Sequence, residues 1–268
     1  MQLFRRFTIL TVTLVTIGML AACGEEDTNE LVVGIECDYA PYNWTTNSDD
    51  GLPVDGQPFN CDGYDVTLAE IIAEDLGRDL VIKKVNWDGL PVALQAGSID
   101  VIIAGMSPTE ERRETMLFSD AYFVSEQVVV VRTDSDFASA TTLNDLDGAR
   151  VIAQTGTLQN DLISQIPNAD HQDPLGTYSS LVEQVRSGAS DALIAELTVA
   201  MSIINGNDDL MYIQLDDGFE LDVNDISTSV AMQLGEDDLL ADINDILATI
   251  SQEDREAYMQ AALERSAE

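Results

Sequence analysis

A cation, a hydroxyl group and a glycine follow one another closely in residues 97–113, GSIDVIIAGMSPTEERR. The four apolar residues 101–104 are typical of a buried strand, which would end at Gly105. Ser107 is expected to be the N-cap of the helix that follows, with Arg112 one turn further on. Unpaired N–H groups and the helix dipole would then favour an anion here, and the Arg112 guanidinium could bind the same carboxylate. The alternative is a surface helix with a solvated arginine.

A second chemical group lies at a matching position later in the chain. Residues 94–106 (LQAGSIDVIIAGM) and 185–197 (VRSGASDALIAEL) form a quasi-repeat in which a helix ends at glycine and an aspartate follows three residues later. A four-residue apolar strand then ends at Gly105 in the first copy and at Glu196 in the second. If these strand ends face each other, a carboxylate lies opposite the anion site, and the pair would bind a zwitterion. The alternative is that Glu196 is one more solvated acid.

The elements that must position these groups alternate between strands and helices. Apolar runs predict strands at residues 31–35, 80–85, 101–104, 127–131, 150–153, 192–195 and 226–232. Amphipathic patterns predict helices at residues 63–77, 88–95, 178–186, 196–204, 238–250 and 254–263, with shorter helices starting near 107 and 158. Residues 45–62 are expected to be a loop. This pattern predicts an α/β fold with two lobes, in which a ligand binds where the strand ends meet.

The charge balance argues against one class of partner. The 268 residues include 49 aspartates and glutamates but only 12 lysines and arginines, for a net charge of −37. The first 22 residues hold Arg5 and Arg6 but no acid, so without them the balance is 10 − 49 = −39. Nucleic-acid binding is not expected on that balance. Acidic clusters such as residues 236–238 are interpreted as solvated surface, and our hypothesis for their origin is adaptation to high external salt.

The N-terminus is predicted to be a targeting segment. Two arginines precede an apolar run, residues 7–20, that is too short for a comfortable membrane span. Residues 20–23, Leu-Ala-Ala-Cys, resemble a bacterial lipobox, in which the cysteine becomes the diacylated first residue of the mature protein. We therefore expect a lipoprotein signal peptide at residues 1–22, a tether at 23–30 and an extracytoplasmic protein held at the cell membrane only by lipid on Cys23. The alternative is a start-anchor helix.

Cysteine and histidine usage limits the chemistry. Cys37 and Cys61 flank a loop rich in proline, asparagine and glycine, in a compartment that permits disulfides. The sequence is compatible both with a bridge between them and with two separately buried thiols. Neither has the spacing of a metal or redox motif, and His171 is the only histidine. We therefore predict no zinc site, no histidine-based catalytic triad, and no metal or cofactor.

Four segments resemble the extracytoplasmic solute-binding proteins for polar amino acids, the receptor subunits of ATP-driven importers. Residues 63–77 (GYDVTLAEIIAEDLG) are similar to the signature helix of that family. Residues 87–90 (WDGL) and 97–112 look like its central block, and residues 118–122 (FSDAY) are similar to its FSDPYY segment. The resemblance covers nearly all of the mature chain. It implies a periplasmic-binding-protein type 2 fold, a two-lobed clamshell with two crossover strands whose closed lobes bury one free amino acid.

The resemblance also implies roles for individual residues. Arg112 would bind the α-carboxylate of the ligand, assisted by the backbone of Gly105 and the hydroxyl group of Ser107. Thr157 would add a contact from the second lobe. Glu196 falls at the position that binds the α-ammonium group.

Three further residues match positions around the side chain of the ligand. Tyr39 and Trp87 match aromatic walls, and Glu36 matches the position that reads the far end of that side chain. Because Glu36 adds a second carboxylate to the cleft, a polar or cationic ligand (arginine, lysine, histidine or glutamine) is the better prediction. Each residue has a simpler alternative, since the aromatics could belong to the core and Glu36 could be a free surface acid.

The implied domain organisation has two crossovers. Lobe 1 comprises residues 31–124 and 225–268, and lobe 2 comprises 125–224, with hinges near 123–126 and 225–228. The expected protein is a monomer that performs no chemistry, closes on its ligand and docks to the permease subunits of an ABC importer.

A protein of another class has the same fold. An exported dehydratase or lyase acting on an amino-acid-like acid would need a carboxylate with a pKa tuned for acid–base work, and Glu36 or Glu196 could serve. Consumption of the ligand would distinguish that enzyme from a receptor.

Overall fold

The computed structural model describes residues 29–216, 218–222 and 225–267. The predicted signal peptide, the predicted lipidation site Cys23 and most of the predicted tether lie outside these residues. Within the described ranges, no helix has both the length and the apolar character needed to cross a bilayer.

Short strands and helices alternate along the described residues. The strands are β1 (Glu30–Ile35), β2 (Asp38–Tyr39), β3 (Asn43–Thr46), β4 (Leu52–Pro53), β5 (Asn60–Asp62), β6 (Asp79–Lys84), β7 (Val101–Ile102), β8 (Met116–Val124), β9 (Gln127–Arg132), β10 (Arg150–Ile152), β11 (Asp170–His171), β12 (Ala192–Glu196), β13 (Leu210–Ile213) and β14 (Ser227–Gln233). The α-helices are α1 (Tyr64–Asp75), α2 (Leu90–Gln95), α3 (Glu110–Arg113), α4 (Leu158–Leu162), α5 (Tyr178–Arg186), α6 (Leu197–Asn205), α7 (Asp237–Thr249) and α8 (Gln252–Arg265). Three short 3₁₀ helices lie at Trp87–Gly89, Leu143–Leu146 and Ile163–Gln165.

Two five-stranded sheets form the cores of two lobes. The strand order is β6-β1-β7-β14-β8 in the first and β11-β10-β12-β9-β13 in the second. In both sheets the central strand, β7 or β12, lies between a parallel and an antiparallel neighbour. The chain passes to the second sheet between β8 and β9 and returns between β13 and β14. The predicted two-lobed α/β clamshell with two crossovers is therefore confirmed.

Helices cover the apolar strands of each lobe. In the first lobe α1 packs against β6, α2 against β1 and β7, and α7 against β8. In the second lobe α5 and α6 pack against β9 and β12. Central residues of β1, β7 and β12 are fully buried, which explains why these strands are short apolar runs in the sequence.

The quasi-repeat corresponds to a repeated structural device. The Oδ2 atom of Asp100 accepts a hydrogen bond from the backbone N–H of Val32 in the parallel neighbour of β7 (2.8 Å). Asp191 does the same for Arg150 in the parallel neighbour of β12 (3.0 Å). The glycine three residues before each aspartate has a positive φ, +68° and +74°. In each lobe, the strand whose end faces the cleft is thus fixed to its parallel neighbour by the same kind of hydrogen bond.

The predicted N-cap at Ser107 is wrong. Helix α3 has only four residues, and its N-cap is Thr109, whose hydroxyl accepts from the N–H of Arg112 (3.4 Å). The hydroxyl group of Thr109, not that of Ser107, accepts from an N–H of the first turn, so Pro108 precedes the helix instead of lying in its first turn. A four-residue helix has a small dipole, and anion binding here would depend on Arg112 and backbone donors instead.

The predicted loop at residues 45–62 is also partly wrong. This region contributes β4, β5 and half of β3 to a small antiparallel sheet of order β2-β3-β5-β4. Strands of two to four residues are too short to give a periodic signal. The strand β13 and the full length of β8 were not predicted either.

Candidate functional site

A pocket lies between the lobes, just beyond the ends of β7 and β12. It is lined by Tyr39, Trp87, Gly105, Ser107, Arg112, Gln154, Thr157, Leu158, Gln159, Tyr178 and Glu196. Seven of the eight residues predicted to bind ligand are in this lining, and the eighth, Glu36, is buried in contact with Gln154. The pocket is narrow, with a cavity volume of about 10 Å³.

The guanidinium group of Arg112 is fixed by both lobes. Its Nη1 donates to the carbonyl of Ser107 (2.8 Å) and its Nη2 donates to the carbonyl of Gly156 in the second lobe (3.0 Å). The group also lies over the ring of Trp87, 5.1 Å from the ring centroid. Burial lowers the pKa of Arg112 to about 10, so the side chain remains a cation at neutral pH. The remaining N–H groups can bind a carboxylate.

Two backbone donors accompany this cation. Within the described residues, the N–H groups of Ser107 and Thr157 have no hydrogen-bond acceptor. The hydroxyl group of Thr157, in contrast, is used locally, because it donates to the carbonyl of Gln154 (2.8 Å) and accepts from the N–H of Asn160 (3.3 Å). Ser107 and Thr157 therefore offer N–H donors, one from each lobe, to an anion beside Arg112.

The backbone of Gly105 offers the pocket an acceptor and not a donor. Its N–H donates to the phenolic oxygen of Tyr122 (3.0 Å), so only its carbonyl is free to face a ligand. A carbonyl accepts hydrogen bonds and so suits an ammonium group better than a carboxylate. Gly105 has φ +61°, and a Cβ there would lie 2.7 Å from Cε1 of Tyr39. Both the conformation and the close approach of Tyr39 require glycine.

Glu196 supplies the carboxylate on the opposite side. It is the last residue of β12 and is buried, and its Oε2 accepts from the hydroxyl group of Tyr39 in the first lobe (2.5 Å). Burial raises the pKa of Glu196 to about 7, against the opposing effect of the Tyr39 hydrogen bond. A cationic group bound here would restore its ordinary acidity.

Glu36 contacts the second lobe through Gln154. The Nε2 atom of Gln154 donates to Oε1 of Glu36 (2.7 Å) and to the carbonyl of Gly176 (3.0 Å). Burial, followed by the nearby charge of Asp38, raises the pKa of Glu36 to about 8. Sequence reasoning missed Gln154 as a site residue, although it directly follows the predicted strand at 150–153 just as Gly105 follows the one at 101–104.

Three aromatic rings enclose the site. Tyr39 stacks on Tyr42 with ring centroids 5.2 Å apart and an interplanar angle of 10°, and it meets Tyr178 of the second lobe at 4.6 Å. Trp87 donates from Nε1 to the carbonyl of Gly156 (3.4 Å). Tyr178 was missed from the sequence, because an aromatic residue in the first turn of an amphipathic helix is more often part of the core.

Cys37 and Cys61 form a disulfide, which excludes the alternative of two free thiols. The bridge joins the residue after Glu36 to β5, and closing the intervening loop stabilises the fold by about 3 kcal/mol. No cluster of three or more histidine, cysteine, aspartate or glutamate side chains suited to a metal ion occurs in the part of the chain that the structure describes.

The comparisons with known proteins agree with this geometry. The sequence model of the bacterial extracellular solute-binding proteins, family 3, matches residues 31–261. The chain belongs to this family. The arginine-binding extracellular protein ArtP of Bacillus subtilis is 28% identical over 77% of this chain and 78% of its own length. A probable histidine-binding protein of Campylobacter jejuni is 31% identical over 71% of this chain and 69% of its own.

A solved structure shows the same fold. The amino acid ABC transporter substrate-binding protein AbpA of Streptococcus pneumoniae, bound to L-arginine, superposes with a TM-score of 0.78 at 26% sequence identity. The match covers 90% of this chain and 97% of that one. Members of this family are extracytoplasmic substrate-binding proteins of transporters.

Proposed function

We propose that this protein is an extracytoplasmic receptor that binds one free amino acid between its lobes and delivers it to an ABC importer. One observation carries the proposal: Arg112 and the N–H groups of Ser107 and Thr157 lie at the same pocket as the Glu196 carboxylate. A zwitterion needs a cation and N–H donors for its carboxylate and a carboxylate for its ammonium group. Charge-assisted hydrogen bonds of this kind are strong in a buried cleft. The Gly105 carbonyl is assigned to the ammonium end beside Glu196.

The proposed ligand has a cationic or polar side chain. Glu36 adds a second carboxylate beside the pocket, and Gln154 adds an amide that can turn either its N–H or its carbonyl towards a ligand. Arginine, lysine, histidine and glutamine are the candidates. The arginine- and histidine-binding relatives support cationic ligands first. Because the pocket is narrow, such a ligand enters only when the lobes move apart.

Thermal unfolding of the mature protein with each amino acid tests the proposal. A bound ligand stabilises the folded state by RT ln(1 + [L]/Kd), about 4 kcal/mol at a thousandfold excess over Kd. We expect a large shift with a cationic amino acid and none with its decarboxylated amine. The variant Arg112→Ala should lose the shift for every amino acid, because the α-carboxylate then has no cation.

The neighbouring arginine provides the control. Arg113 donates from Nε to the carbonyl of Pro108 and lies over Phe118, outside the pocket lining. Arg113→Ala should therefore bind as the wild type does. No shift with any amino acid would overturn the receptor proposal, and normal binding by Arg112→Ala would overturn the site assignment. Consumption of the ligand during the assay would favour the dehydratase or lyase.

The proposed protein is a monomer that is attached to the cell membrane by lipid on Cys23. The lipobox-like residues 20–23 and the polar stretch after them support this attachment. Cells that express the full chain should carry it in the membrane fraction and label it with radioactive palmitate. Cys23→Ser should abolish the labelling and leave amino-acid binding unchanged.

A further inference from the structure

A buried chain of polar groups runs behind the pocket and begins and ends at backbone N–H groups. The N–H of Cys37 donates to Oδ1 of Asn43 (2.7 Å), and Nδ2 of Asn43 donates to Oδ2 of Asp65 (2.8 Å). On the other side, the N–H of Gly105 donates to the oxygen of Tyr122 (3.0 Å), whose hydroxyl donates to Oδ1 of Asp65 (2.8 Å). Asn43, Asp65 and Tyr122 are fully buried. We call these groups the Asp65 network.

The two ends of the network determine the chemistry of its middle. A backbone N–H only donates, so Asn43 must present its oxygen to Cys37 and its amide nitrogen to Asp65. For the same reason Tyr122 accepts from Gly105 and donates to Asp65. Asp65 therefore accepts on both oxygens, an arrangement that the ionised carboxylate completes without a proton of its own to place.

Burial of the Asp65 carboxylate costs free energy because no cation lies beside it in the described part of the chain. Among the described residues no ion pair reaches it, and burial raises its pKa to about 7 against the hydrogen bonds from Tyr122 and Asn43. Burying a charge without a cation costs free energy, which the hydrogen bonds from Tyr122 and Asn43 must offset. What these bonds hold is the two backbone segments at the ends of the network.

Both segments carry pocket groups. Cys37 follows Glu36 directly and lies two residues before Tyr39. Gly105 lines the pocket, packs against Tyr39 and lies two residues before Ser107. Because its N–H is bound to Tyr122, Gly105 can present only its carbonyl to a ligand. The network thus joins the segment beside the ligand's side chain to the segment beside its charged ends.

We propose that Asp65, Asn43 and Tyr122 are positioning residues of the amino-acid site, which set the backbone at Cys37 and Gly105 by forcing both N–H groups away from the ligand. The inference rests on the proposed function, because it concerns the same site. None of the three side chains touches the pocket itself.

A polarity swap tests this proposal. Asp65→Asn has only one side-chain oxygen, so either two amide nitrogens face each other at positions 43 and 65 or the Tyr122 hydroxyl loses its acceptor. We expect the affinity for L-arginine to fall at least about tenfold. Adding Asn43→Asp restores every bond. The new carboxylate at position 43 would accept from Cys37 and from the new amide at position 65, while the oxygen of that amide accepts from Tyr122. The double variant should bind within about threefold of the wild type, by calorimetry.

Two further measurements separate positioning from stability. Leu263→Ala, in the buried face of α8, should lower stability without changing affinity. Amide hydrogen exchange of the ligand-free proteins should show faster exchange at Cys37 or Gly105 in Asp65→Asn and wild-type exchange in the double variant.

Several outcomes would overturn the proposal. Wild-type affinity in Asp65→Asn, or a folded double variant whose affinity stays low, would show that the network does not position the site. A wild-type protein that binds no amino acid would overturn the proposed function instead. If the wild type binds no amino acid, hydrogen exchange still tests the network. Unchanged exchange at Cys37 and Gly105 in Asp65→Asn would show that the network does not hold these amides. Faster exchange there that returns to the wild-type rate in the double variant would support it.

Discussion

At the scale of single residues, the Glu36 carboxylate couples the ligand site to pH. It is buried and accepts a hydrogen bond from Gln154, yet its pKa is raised to about 8, first by burial and then by Asp38. The folded state therefore holds a proton that the unfolded state releases near pH 4.5. A cationic side chain beside Glu36 would reverse this balance and lower its pKa.

Glu36→Gln should change the pH dependence of stability in a defined direction. Because the folded pKa is above the unfolded one, the stability that Glu36 contributes is full below about pH 4.5 and is lost as the pH rises through about 8. The free energy of unfolding of the wild type should fall relative to Glu36→Gln over this window, by roughly 3–5 kcal/mol. Urea unfolding of both ligand-free proteins from pH 4 to 9 measures the difference.

Comparison with the variant is needed because Glu196 and Asp65 titrate in the same direction, each with a pKa of about 7. Their contributions cancel in the difference between wild type and Glu36→Gln, provided that they do not couple to Glu36. Parallel curves for the two proteins between pH 4 and 9 would contradict a buried, protonated Glu36.

At the scale of elements, each lobe relies on one aspartate to fix the strand that points at the cleft. Asp100 and Asp191 each accept from a backbone N–H of the neighbouring parallel strand. Replacement by alanine leaves that N–H without an acceptor, so Asp100→Ala and Asp191→Ala should each lower the free energy of unfolding by about 1–3 kcal/mol. Denaturant titration measures the loss.

The conservative and the exposed substitutions provide the controls for this prediction. Asp100→Asn retains an oxygen acceptor and should lose less stability than Asp100→Ala. The exposed Asp79, whose side chain makes no hydrogen bond within the described residues, should tolerate alanine. Asp191→Ala should lose more than Asp100→Ala, because Asp191 also pairs with the Arg150 guanidinium. Equal stabilities of the Asp79→Ala and Asp100→Ala variants would show that the repeated bond is not structural.

Elements with a strong periodic pattern were predictable from the sequence, and short ones were not. Helix α5 has the predicted bounds, since its apolar residues recur at helical spacing and Arg186 ends it. The start of α3 was misplaced because both Ser107 and Thr109 are good N-caps, and only the backbone decides between them. The strands β3, β4 and β5 are set by pairing with one another and by the disulfide to Cys61, neither of which leaves a local signal.

At the scale of the whole molecule, the site is made by contacts between lobes. These are Tyr39 with Glu196, Gln154 with Glu36, Arg112 and Trp87 with Gly156, and Ser179 with Asp38. In most of these pairs at least one residue could be assigned to the site from the sequence, because strand ends and the family resemblance identify individual positions. The pairing itself was not, since it depends on how far the second lobe rotates onto the first. Gln154 and Tyr178 acquire a role only through that closure.

The acidity of the whole chain predicts a dependence of stability on salt. With a net charge of −37 and five ion pairs among the described residues, most acids have no cationic partner and repel one another in the compact state. Raising NaCl from 0.1 to 1 M shortens the Debye length from about 10 Å to about 3 Å and screens that repulsion. The Tm of the ligand-free mature protein should therefore rise with salt in calorimetric scans.

Salt also strengthens apolar burial, so a variant with fewer acids isolates the charge effect. Glu70, Glu74 and Asp75 are exposed on the C-terminal half of α1, whose last turn carries no basic residue, and there negative charge opposes the helix dipole. Replacing all three by the corresponding amides should raise Tm in 0.1 M NaCl and reduce the slope of Tm against salt. An unchanged slope would assign the salt effect to apolar burial, and a wild-type Tm that does not rise in molar salt would remove the hypothesis that the acidic surface is an adaptation to salt.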